Sequence, residues 1–231
     1  MPLINSVWCW YNLYMETIKY SKKDIKLVKE DLLNGKIIAF PTDTVFGLGC
    51  VINKDAIAKV YEAKGRSFDK PLPMMCNGLE MIESVAYVNE EAKKIINKFV
   101  PGALTLIFNK KEHIEDYVTN GKPTIGIRVP DDEWILNLIN ELNEPILVTS
   151  ANLSDTGSLL KWEDVYSQLD GRINGIVCGD ATGETSSTII DVTSDIKVLR
   201  QGPITLEQIM EVIRWSILFM YLDTKTPIPI Q

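Results

Sequence analysis

Apolar residues follow two spacings along this chain, one helical and one strand-like. Ile25, Val28 and Leu32 recur at the three- and four-residue intervals of an amphipathic helix, which Ser21 can cap and Gly35 can end. Short runs of consecutive apolar residues, typical of buried strands, lie between this helix and others of the same kind. The alternation predicts one α/β domain with a mixed sheet.

The remaining predicted elements extend over most of the chain. Helices are expected after the capping residues Asn53, Asn89, Asp131 and Thr205 and over 162–169, with the last one ending at Arg214. Strands are expected over 36–40, 72–76, 104–108, 124–129, 145–148, 175–178, 187–192 and 197–199. No repeat, low-complexity run or linker divides these elements, so a single functional domain is predicted over 15–214.

Both ends of the chain are apolar, but neither is typical of a membrane segment. Residues 1–14 carry no charge, and they lack the basic region and the cleavage site of a signal peptide. We interpret 1–14 as an extension of the functional domain, with a non-native origin as one interpretation, and 215–231 as a C-terminal tail. The apolar run 215–222 is too short to cross a bilayer, so no membrane contact is expected.

Composition favours a soluble enzyme with a small-molecule ligand. The 231 residues are 45% hydrophobic and 24% charged, which suits a globular protein with a sizeable core. The formal net charge is -7, whereas proteins that bind nucleic acid without specificity are usually basic. Any contact with RNA is therefore expected to be weak, indirect or confined to a local basic patch.

Cysteine and histidine are too scattered to predict a zinc site. Cys9, Cys50, Cys76 and Cys178 form no Cys-x-x-Cys pair, and His113 is the only histidine. Free cysteines in this pattern are typical of core residues in a reducing cytosol, so a cytoplasmic location is expected. His113 lies in a polar run and is predicted to be exposed, which makes it a poor candidate for a catalytic base.

Four polar clusters predict a site for a phosphate-bearing ligand. Each combines cations or hydroxyls with Gly, Ala or Pro; they occupy 41–49, 64–72, 149–152, and 186–188 together with 200–202. Small residues let a ligand approach the backbone, and cations and hydroxyls donate to anionic oxygens. The glycine-rich fingerprints of P-loop and dinucleotide-binding proteins are absent from the sequence, so scattered side chains would have to bind a nucleotide.

Two of the clusters allow a structural interpretation beside the functional one. Thr42 and Thr44 place two hydroxyls over one pocket if the backbone is extended, but threonine also forms turns. Lys64 and Arg66 point to one side if the chain is extended there; alternatively, Lys64 is a cation at a helix C-terminus and the following glycine ends that helix. The second interpretation accounts poorly for Arg66 and for the later Lys70.

The other candidates follow or close predicted strands. Ser150 and Asn152 come after a buried strand, where they can contact phosphate, ribose or carboxylate or can form a cap and an Asx-turn. Arg128 closes an apolar strand, which favours a buried or pocket-facing partner for its guanidinium. Arg200 follows another strand, although a lone arginine is usually solvated.

These segments, in this order, resemble the threonylcarbamoyl-AMP synthase family, also called the YrdC or TsaC family, in its short form. The resemblance runs from about Ile37 to Pro203 and is carried by the stretches 40–49, 64–72, 101–105, 127–130, 149–154, 187–191 and 198–202. It implies a YrdC-like fold, with a twisted mixed sheet and helices around a basic concave cavity. Ser186 and Asp155 depart from the family, which often has proline and glycine at these positions.

The resemblance also implies an activity. L-threonine, bicarbonate and ATP would give threonylcarbamoyl-adenylate and pyrophosphate, with Mg²⁺ carried on the nucleotide phosphates and no metal site made by the protein alone. A separate transferase would use the product to modify the adenosine beside the anticodon of tRNAs. No side chain stands out as a nucleophile, so catalysis is expected to rest on positioning and charge.

The family's site residues fall on nine positions of this sequence. Its Lys-x-Arg and Ser-x-Asn signatures, with catalytic and ATP-binding roles, fall on Lys64, Arg66, Ser150 and Asn152, and a further ATP-binding position falls on Arg200. The positions expected to bind threonine fall on Thr42, Lys70, Arg128 and Ser187. Two alternatives stay open on the sequence: a carbamoyl-transfer domain related to hydrogenase maturation, which shares the fold, and a non-catalytic RNA-binding module.

Overall fold

A computed structural model of the protein describes residues 16–223, with side chains described as far as Arg214. Its strands are β1 Ile18–Tyr20, β2 Ile38–Phe40, β3 Gly47–Cys50, β4 Met74–Met75, β5 Ala86–Tyr87, β6 Leu104–Lys110, β7 Thr124–Arg128, β8 Ile146–Ser150, β9 Gly175–Val177, β10 Thr188–Asp191 and β11 Lys197–Arg200. Its helices are α1 Ile25–Leu33, α2 Lys54–Lys64, α3 Leu79–Val85, α4 Glu90–Phe99, α5 Asp116–Thr119, α6 Glu133–Leu142, α7 Trp162–Leu169 and α8 Leu206–Asp223.

The strands of this part of the chain join one mixed sheet, which confirms the predicted α/β architecture. Across the sheet they are ordered β1-β9-β2-β3-β8-β4-β7-β6-β10-β11, and β5 pairs with β6. β3 runs antiparallel to both β2 and β8, which places Gly47 opposite Phe40 and Ser150. β10 runs parallel to β6, with Thr188 beside Leu104. These pairings bring segments that are distant in sequence into one region.

Two hydrophobic clusters anchor the helices to the sheet. The larger cluster joins α2 and α4 to the strands through buried residues such as Val60 and Ile95, and α7 and α8 contribute to it as well. The smaller cluster packs α1 and α6 against β2 and β8 through Leu32, Leu138 and Phe40. Burial of such side chains contributes about 1.5–3 kcal/mol each. The sheet is therefore a firm support for side chains at its surface.

Helix starts follow the predicted caps with two exceptions. Ser21 caps a single 3-10 turn, Lys22–Asp24, which leads into α1 at Ile25. Asn53 and Asn89 accept hydrogen bonds from first-turn amides of α2 and α4, as their positions in the sequence predict. The predicted cap of α6, Asp131, is wrong: the carboxylate of Asp132 accepts from the Ile135 amide at 3.0 Å. The helix consequently begins one residue later.

Some elements differ from the hydrophobic pattern. α8 follows its predicted cap, Thr205, but continues beyond the predicted end at Arg214, because no glycine or proline interrupts the segment. β3 replaces the predicted loop at Gly47 and Gly49. A Cβ on Gly49 would lie 2.7 Å from the ring of Phe40, so glycine is the residue that lets this ring pack across the strand. The short elements β1, β5, α3 and α5 were also not predicted.

The remaining predictions from the sequence can be compared with the structure only over residues 16–223. The predicted extension 1–14 lies outside them, and the boundaries of the functional domain stay a prediction. Cys50 and Cys76 are buried in the core as predicted, and burial raises the pKa of both thiols to about 12. His113 is exposed, as predicted. Within 16–223, no helix has both the length and the apolar content needed to cross a bilayer.

Candidate active site

A cavity of about 420 Å³ opens over one face of the sheet. Its floor includes Thr124, Gly126 and Arg128, which alternate along β7 with the buried Ile125 and Ile127. Alternate residues of a strand point to the same face, so β7 presents one row of side chains to the cavity and the other to the core. The neighbouring β6 and β10 segments contribute in the same way; their residues in the cavity are Thr105, Ile107, Ser187, Ile189 and Asp191.

The lining of the cavity is strongly basic. It contains four cations and one carboxylate: Arg66, Lys122, Arg128, Arg200 and Asp191. This excess contrasts with the net charge of -7 for the whole chain and agrees with the basic cavity predicted from the sequence. A concave site with charge of one sign concentrates ligands of the opposite sign. The cavity is therefore suited to an anionic ligand.

Arg128 is held from three sides at the cavity floor. Its Nη2 donates to Asp43 Oδ2 at 2.6 Å, its Nη1 to Thr44 Oγ1 at 2.6 Å and its Nε to the Gly102 carbonyl at 3.1 Å. Burial lowers the pKa of Arg128, while the charge of Asp43 opposes that shift. A guanidinium has five N–H donors, so one donor on each terminal nitrogen is left for a ligand.

Thr42 and Thr44 bring their hydroxyls together at the cavity wall. The two Oγ1 atoms lie 3.0 Å apart, and Thr42 Oγ1 also donates to the Val45 carbonyl at 2.7 Å. The Thr44 amide donates back to Thr42 Oγ1 at 3.0 Å. Both hydroxyls line one pocket, and Thr42 also closes a turn, while their ligand role stays a prediction.

Ser187 and Arg200 are joined between β10 and β11. Nε and Nη2 of Arg200 donate to the Ser187 carbonyl at 3.0 and 2.8 Å, and the Ser187 hydroxyl lies 2.8 Å from Thr105 Oγ1. Burial, with a smaller contribution from the positive charge of Arg128, lowers the pKa of Arg200. The arrangement presents a hydroxyl and part of a guanidinium to the same side of the cavity.

Arg66 is oriented by the loop to which it belongs. Its Nε donates to the Lys70 carbonyl at 2.9 Å and its Nη2 to the Pro71 carbonyl at 3.2 Å. Asn120 and Lys122 tie the same loop from outside by donating to two further carbonyls at 2.6 and 2.8 Å. These contacts fix the loop at several points, and Arg66 lines the cavity.

Lys64 lies behind the cavity wall, although it is only two positions from Arg66. Gly65 has the left-handed conformation, with φ 57° and ψ 38°, so α2 ends here and the chain is not extended. Lys64 is 2% exposed, and its Nζ donates to the Ser150 and Asn152 carbonyls, each at 2.5 Å. Burial, with a smaller contribution from the charge of Arg66, lowers the pKa of Lys64 to about 7.

Asn152 and Lys70 also lie outside the cavity lining. The Asn152 amide closes the turn that follows it, with Nδ2 donating to the Leu153 and Thr156 carbonyls at 2.7 and 2.8 Å. Asn152 therefore has a structural use, but it is not the predicted Asx-turn, in which the side-chain oxygen would accept from a backbone amide. Lys70 is exposed, and its Nζ lies 3.7 Å from Asp155. Asp155 has φ 63°, a conformation that favours glycine, the residue common at this position in the family that the sequence resembles.

The structure brings six of the nine predicted site residues to one cavity. They are Thr42, Arg66, Arg128, Ser150, Ser187 and Arg200. The ligand roles of all nine stay predictions. The sequence reasoning missed Thr105, Lys122 and Thr124, because polar residues within or beside apolar strands were not read as ligand-facing. The available signal was the alternation of Thr124, Gly126 and Arg128, three non-core residues at every second position of one strand.

Comparison with known proteins places the chain in a family. The family model described as telomere recombination, that of Sua5, YciO and YrdC, matches residues 30–202. The threonylcarbamoyl-AMP synthase of Bacillus subtilis strain 168 is 46% identical over 187 residues, which are 79% of this chain and 54% of the relative. The threonylcarbamoyl-AMP synthase of Pyrococcus abyssi is 37% identical over 196 residues, 82% of this chain and 57% of the relative. The chain thus spans just over half the length of these two relatives.

A shorter relative and several solved structures extend the comparison. A protein of Methanocaldococcus jannaschii is 38% identical over 192 residues, 81% of this chain and 90% of that protein. The structure of P. abyssi Sua5 complexed with L-threonine superposes with a TM-score of 0.77 at 35% identity, covering 86% of this chain and 60% of that one. E. coli YciO superposes with a TM-score of 0.75 at 25% identity, covering 84% and 98%. HypF superposes with a TM-score of 0.68 at 21% identity, covering 77% of this chain and 28% of that one, and this likeness shows the fold alone.

The family model matches more than half of the chain, and the M. jannaschii relative is covered almost throughout. This chain is therefore a member of the Sua5/YciO/YrdC family.

Proposed function

We propose that the protein forms threonylcarbamoyl-AMP and pyrophosphate from L-threonine, bicarbonate and ATP. The observation that carries the proposal is the basic cavity, in which four cations and several hydroxyls converge on one face of the sheet. Its volume of about 420 Å³ lies in the range of small-molecule sites, which is about 300–1,000 Å³. Two relatives, from B. subtilis and P. abyssi, are named for this activity.

The threonine carboxylate is assigned to the cavity floor. Arg128 has one unused donor on each terminal nitrogen, and Thr42 and Ser187 place hydroxyls beside it. A guanidinium with two free donors suits a planar carboxylate better than a single ammonium would. P. abyssi Sua5, a structural neighbour, has been solved in complex with L-threonine.

The phosphates are assigned to the remaining cations. Arg66, from the loop after α2, and Arg200, at the end of β11, both line the cavity, as does Ser150 at the end of β8. Threonine, bicarbonate and ATP are brought together with several negative charges among them, so preorganised cations are needed to offset their repulsion. We assign no direct ligand contact to Lys64 and Asn152, whose polar groups make other contacts, and none to Lys70, which is exposed and lies outside the cavity lining.

The chemistry follows from positioning and charge. The deprotonated amine of threonine attacks the carbon of bicarbonate, and loss of water gives the carbamate. A carbamate oxygen then attacks the α-phosphorus of ATP, the bond to the β-phosphate oxygen breaks, and pyrophosphate leaves. Holding the reactants in line contributes much of the rate. No covalent intermediate with the enzyme is required.

Magnesium is proposed to enter on the nucleotide. Residues 16–223 contain no group of three or more histidine, cysteine, aspartate or glutamate side chains placed to hold a metal ion. The cavity offers one carboxylate, Asp191, whereas phosphate oxygens are the hard ligands that Mg²⁺ favours. When bound, the ion would neutralise part of the phosphate charge.

The product is proposed to pass to a separate transferase that acts on tRNA. The mixed anhydride of a carbamate and AMP is reactive, so a downstream enzyme must use it soon after release. Direct contact between this protein and tRNA is proposed to be weak, because the net charge of the chain is -7 and four of its cations line the cavity.

The decisive experiment measures pyrophosphate release by the purified protein. Release is expected only when ATP, L-threonine and bicarbonate are all present, and mass spectrometry should detect threonylcarbamoyl-AMP in the same reaction. Omission of threonine provides the control for simple ATP hydrolysis. Equal release without threonine would overturn the proposed function.

A further inference from the structure

Within each of the Lys-x-Arg and Ser-x-Asn pairs, one residue lines the cavity and the other does not, a difference that the sequence pattern does not show. We propose that Lys64 is a positioning residue, which fixes the 150–154 turn to the end of α2 and so places Ser150 at the cavity wall. On this view Lys64 does not contact the nucleotide. The kinetic part of the test rests on the proposed function, whereas the structural part does not.

Lys64 is joined to the turn by both its side chain and its backbone. Its Nζ donates to the Ser150 and Asn152 carbonyls at 2.5 Å, and its own carbonyl accepts from the Ser154 amide at 2.9 Å. An ammonium has three N–H donors, and the third has Asn152 Oδ1 at 3.5 Å. All the polar contacts of Lys64 are therefore directed to one turn, and none is left for a phosphate.

The surroundings of Lys64 support a structural use of its charge. The side chain is almost completely buried, yet no carboxylate forms an ion pair with it among the described residues. Backbone carbonyl dipoles at the C-terminus of α2 and in the turn take the place of a counter-ion. Removing the ammonium would take this donor from the Asn152 carbonyl and leave the Ser150 carbonyl with the Asn152 amide alone, at 3.1 Å, which destabilises that arrangement.

Asn152 completes the same unit from within the turn. Its Nδ2 donates to the carbonyls of Leu153 and Thr156, so the turn is closed on itself as well as tied to α2. In each signature pair one residue lines the cavity, Arg66 or Ser150, and the other lies behind it. Lys64 and Asn152 thus hold together the two segments that carry the cavity-lining residues.

The structural part of the test compares Lys64→Met with Lys59→Met. Lys59 is a matched control, because it lies on the same helix and its Nζ also donates to a backbone carbonyl, that of Gly35 at 2.8 Å, but it is exposed. Backbone hydrogen exchange over 150–156 should become faster in Lys64→Met and stay unchanged in Lys59→Met, with no substrate present. Unchanged exchange in a folded Lys64→Met protein would overturn the proposal. Should Lys64→Met not fold, Lys64→Gln, which keeps amide donors, takes its place.

The kinetic part is a double-mutant cycle that combines Lys64→Met with Ser150→Ala. The dissociation constant of Mg-ATP and the rate of pyrophosphate release are measured for each variant. A residue that acts through Ser150 should weaken binding or rate by about tenfold in the wild-type background and by much less in Ser150→Ala. The same loss in both backgrounds would show an independent contact with the nucleotide and would overturn the proposal. If wild-type protein releases no threonine-dependent pyrophosphate, the proposed function fails, and hydrogen exchange and ATP binding still decide the role of Lys64.

Discussion

Two arginines of the cavity divide their hydrogen-bond donors between the protein and the space for a ligand. Arg128 commits three donors to Asp43, Thr44 and Gly102, and Arg66 commits two to its own loop. Each side chain is therefore held in place before a ligand arrives. Prior orientation of this kind lets a charge stabilise a transition state without reorganising at the moment of reaction.

Arg66→Ala should reduce turnover far more than stability. Loss of one charge-assisted contact to the transition state costs about 2–4 kcal/mol. At 1.4 kcal/mol per tenfold, this is about a thirty- to thousand-fold lower rate of threonylcarbamoyl-AMP formation. The free energy of unfolding should fall by only about 1 kcal/mol, since Arg66 is partly exposed and both carbonyls that accept from it belong to its own loop. Lysine should restore activity only in part, because it lacks the planar fork.

The rate and a thermal melt should be measured on the same sample. Arg172→Ala is the control, since Arg172 is exposed, lies away from the cavity and donates to the Ala63 carbonyl at 3.4 Å. If Arg66→Ala melts normally and keeps more than half of the activity, Arg66 has no catalytic role and this prediction is wrong.

Asp43→Ala should destabilise the whole protein as well as the site. The side chains of Asp43 and Arg128 are 10% and 7% exposed and lie 2.6 Å apart, so removing the carboxylate leaves a buried charge without its partner. Such a change typically costs about 3–5 kcal/mol. The measurement is the free energy of unfolding by denaturant. Glu141→Ala breaks the exposed pair with Lys29 and should cost less than about 1 kcal/mol. Equal losses for the two variants would contradict this prediction.

At the scale of elements, a strap formed by residues 180–186 fixes one cavity wall. Its Thr182 amide donates to the Thr42 carbonyl at 3.0 Å, and the strap leads directly to Ser187 in the cavity. Backbone lies against backbone at Gly183, where a Cβ would be 2.5 Å from Thr44 Cα and 2.6 Å from the Asp43 carbonyl oxygen. Neither neighbour can rotate away, because both are main-chain atoms.

Gly183→Ala should therefore push the strap away from Thr44 and lower the free energy of unfolding by about 1–3 kcal/mol. Threonine affinity should weaken as well, because the displacement moves Ser187. Gly157→Ala is the matched control: nothing lies within 4 Å of its added Cβ, and its effect on stability should stay within about 0.5 kcal/mol. Unchanged stability and threonine binding in Gly183→Ala would show that the strap can shift without cost.

On the scale of the whole molecule, the charge of the cavity is opposite in sign to the net charge of the chain. A chain with net charge -7 contains a cavity with four cations and one carboxylate, and a further lysine, Lys64, is buried beside it. Burying a cation costs free energy that the rest of the fold must offset. The stability of the protein should therefore depend on the protonation of Lys64.

The sign of that dependence follows from the lowered pKa. The ordinary pKa of lysine is 10.5, and burial lowers that of Lys64 in the folded protein to about 7. Between these values the unfolded chain binds more protons than the folded one, so the free energy of unfolding rises with pH. Between pH 7 and pH 9, the free energy of unfolding of wild-type protein should rise by about 1–3 kcal/mol relative to that of Lys64→Met. Denaturant unfolding of both proteins at each pH tests this, and a constant difference would show that the pKa of Lys64 is not lowered.

Local spacing was enough to predict much of the architecture. The predicted cap Asn89 directly precedes α4, and the helix predicted over 162–169 agrees with α7 to the residue. Caps and helical periods depend on neighbours within four positions, so the sequence contains them directly. The order of short motifs was likewise sufficient for the family, because each motif is read from a few consecutive residues.

The tertiary structure alone decided which polar residues share the cavity. Lys64 and Arg66 are two positions apart, but the left-handed turn at Gly65 buries one and leaves the other at the cavity. Arg128 meets Asp43, 85 positions away, only because their segments converge in the folded protein. The face of β7 that forms the floor is likewise set by which side of the sheet the helices cover. Contacts between segments that are distant in sequence depend on strand order and register, which arise from packing over the whole sheet.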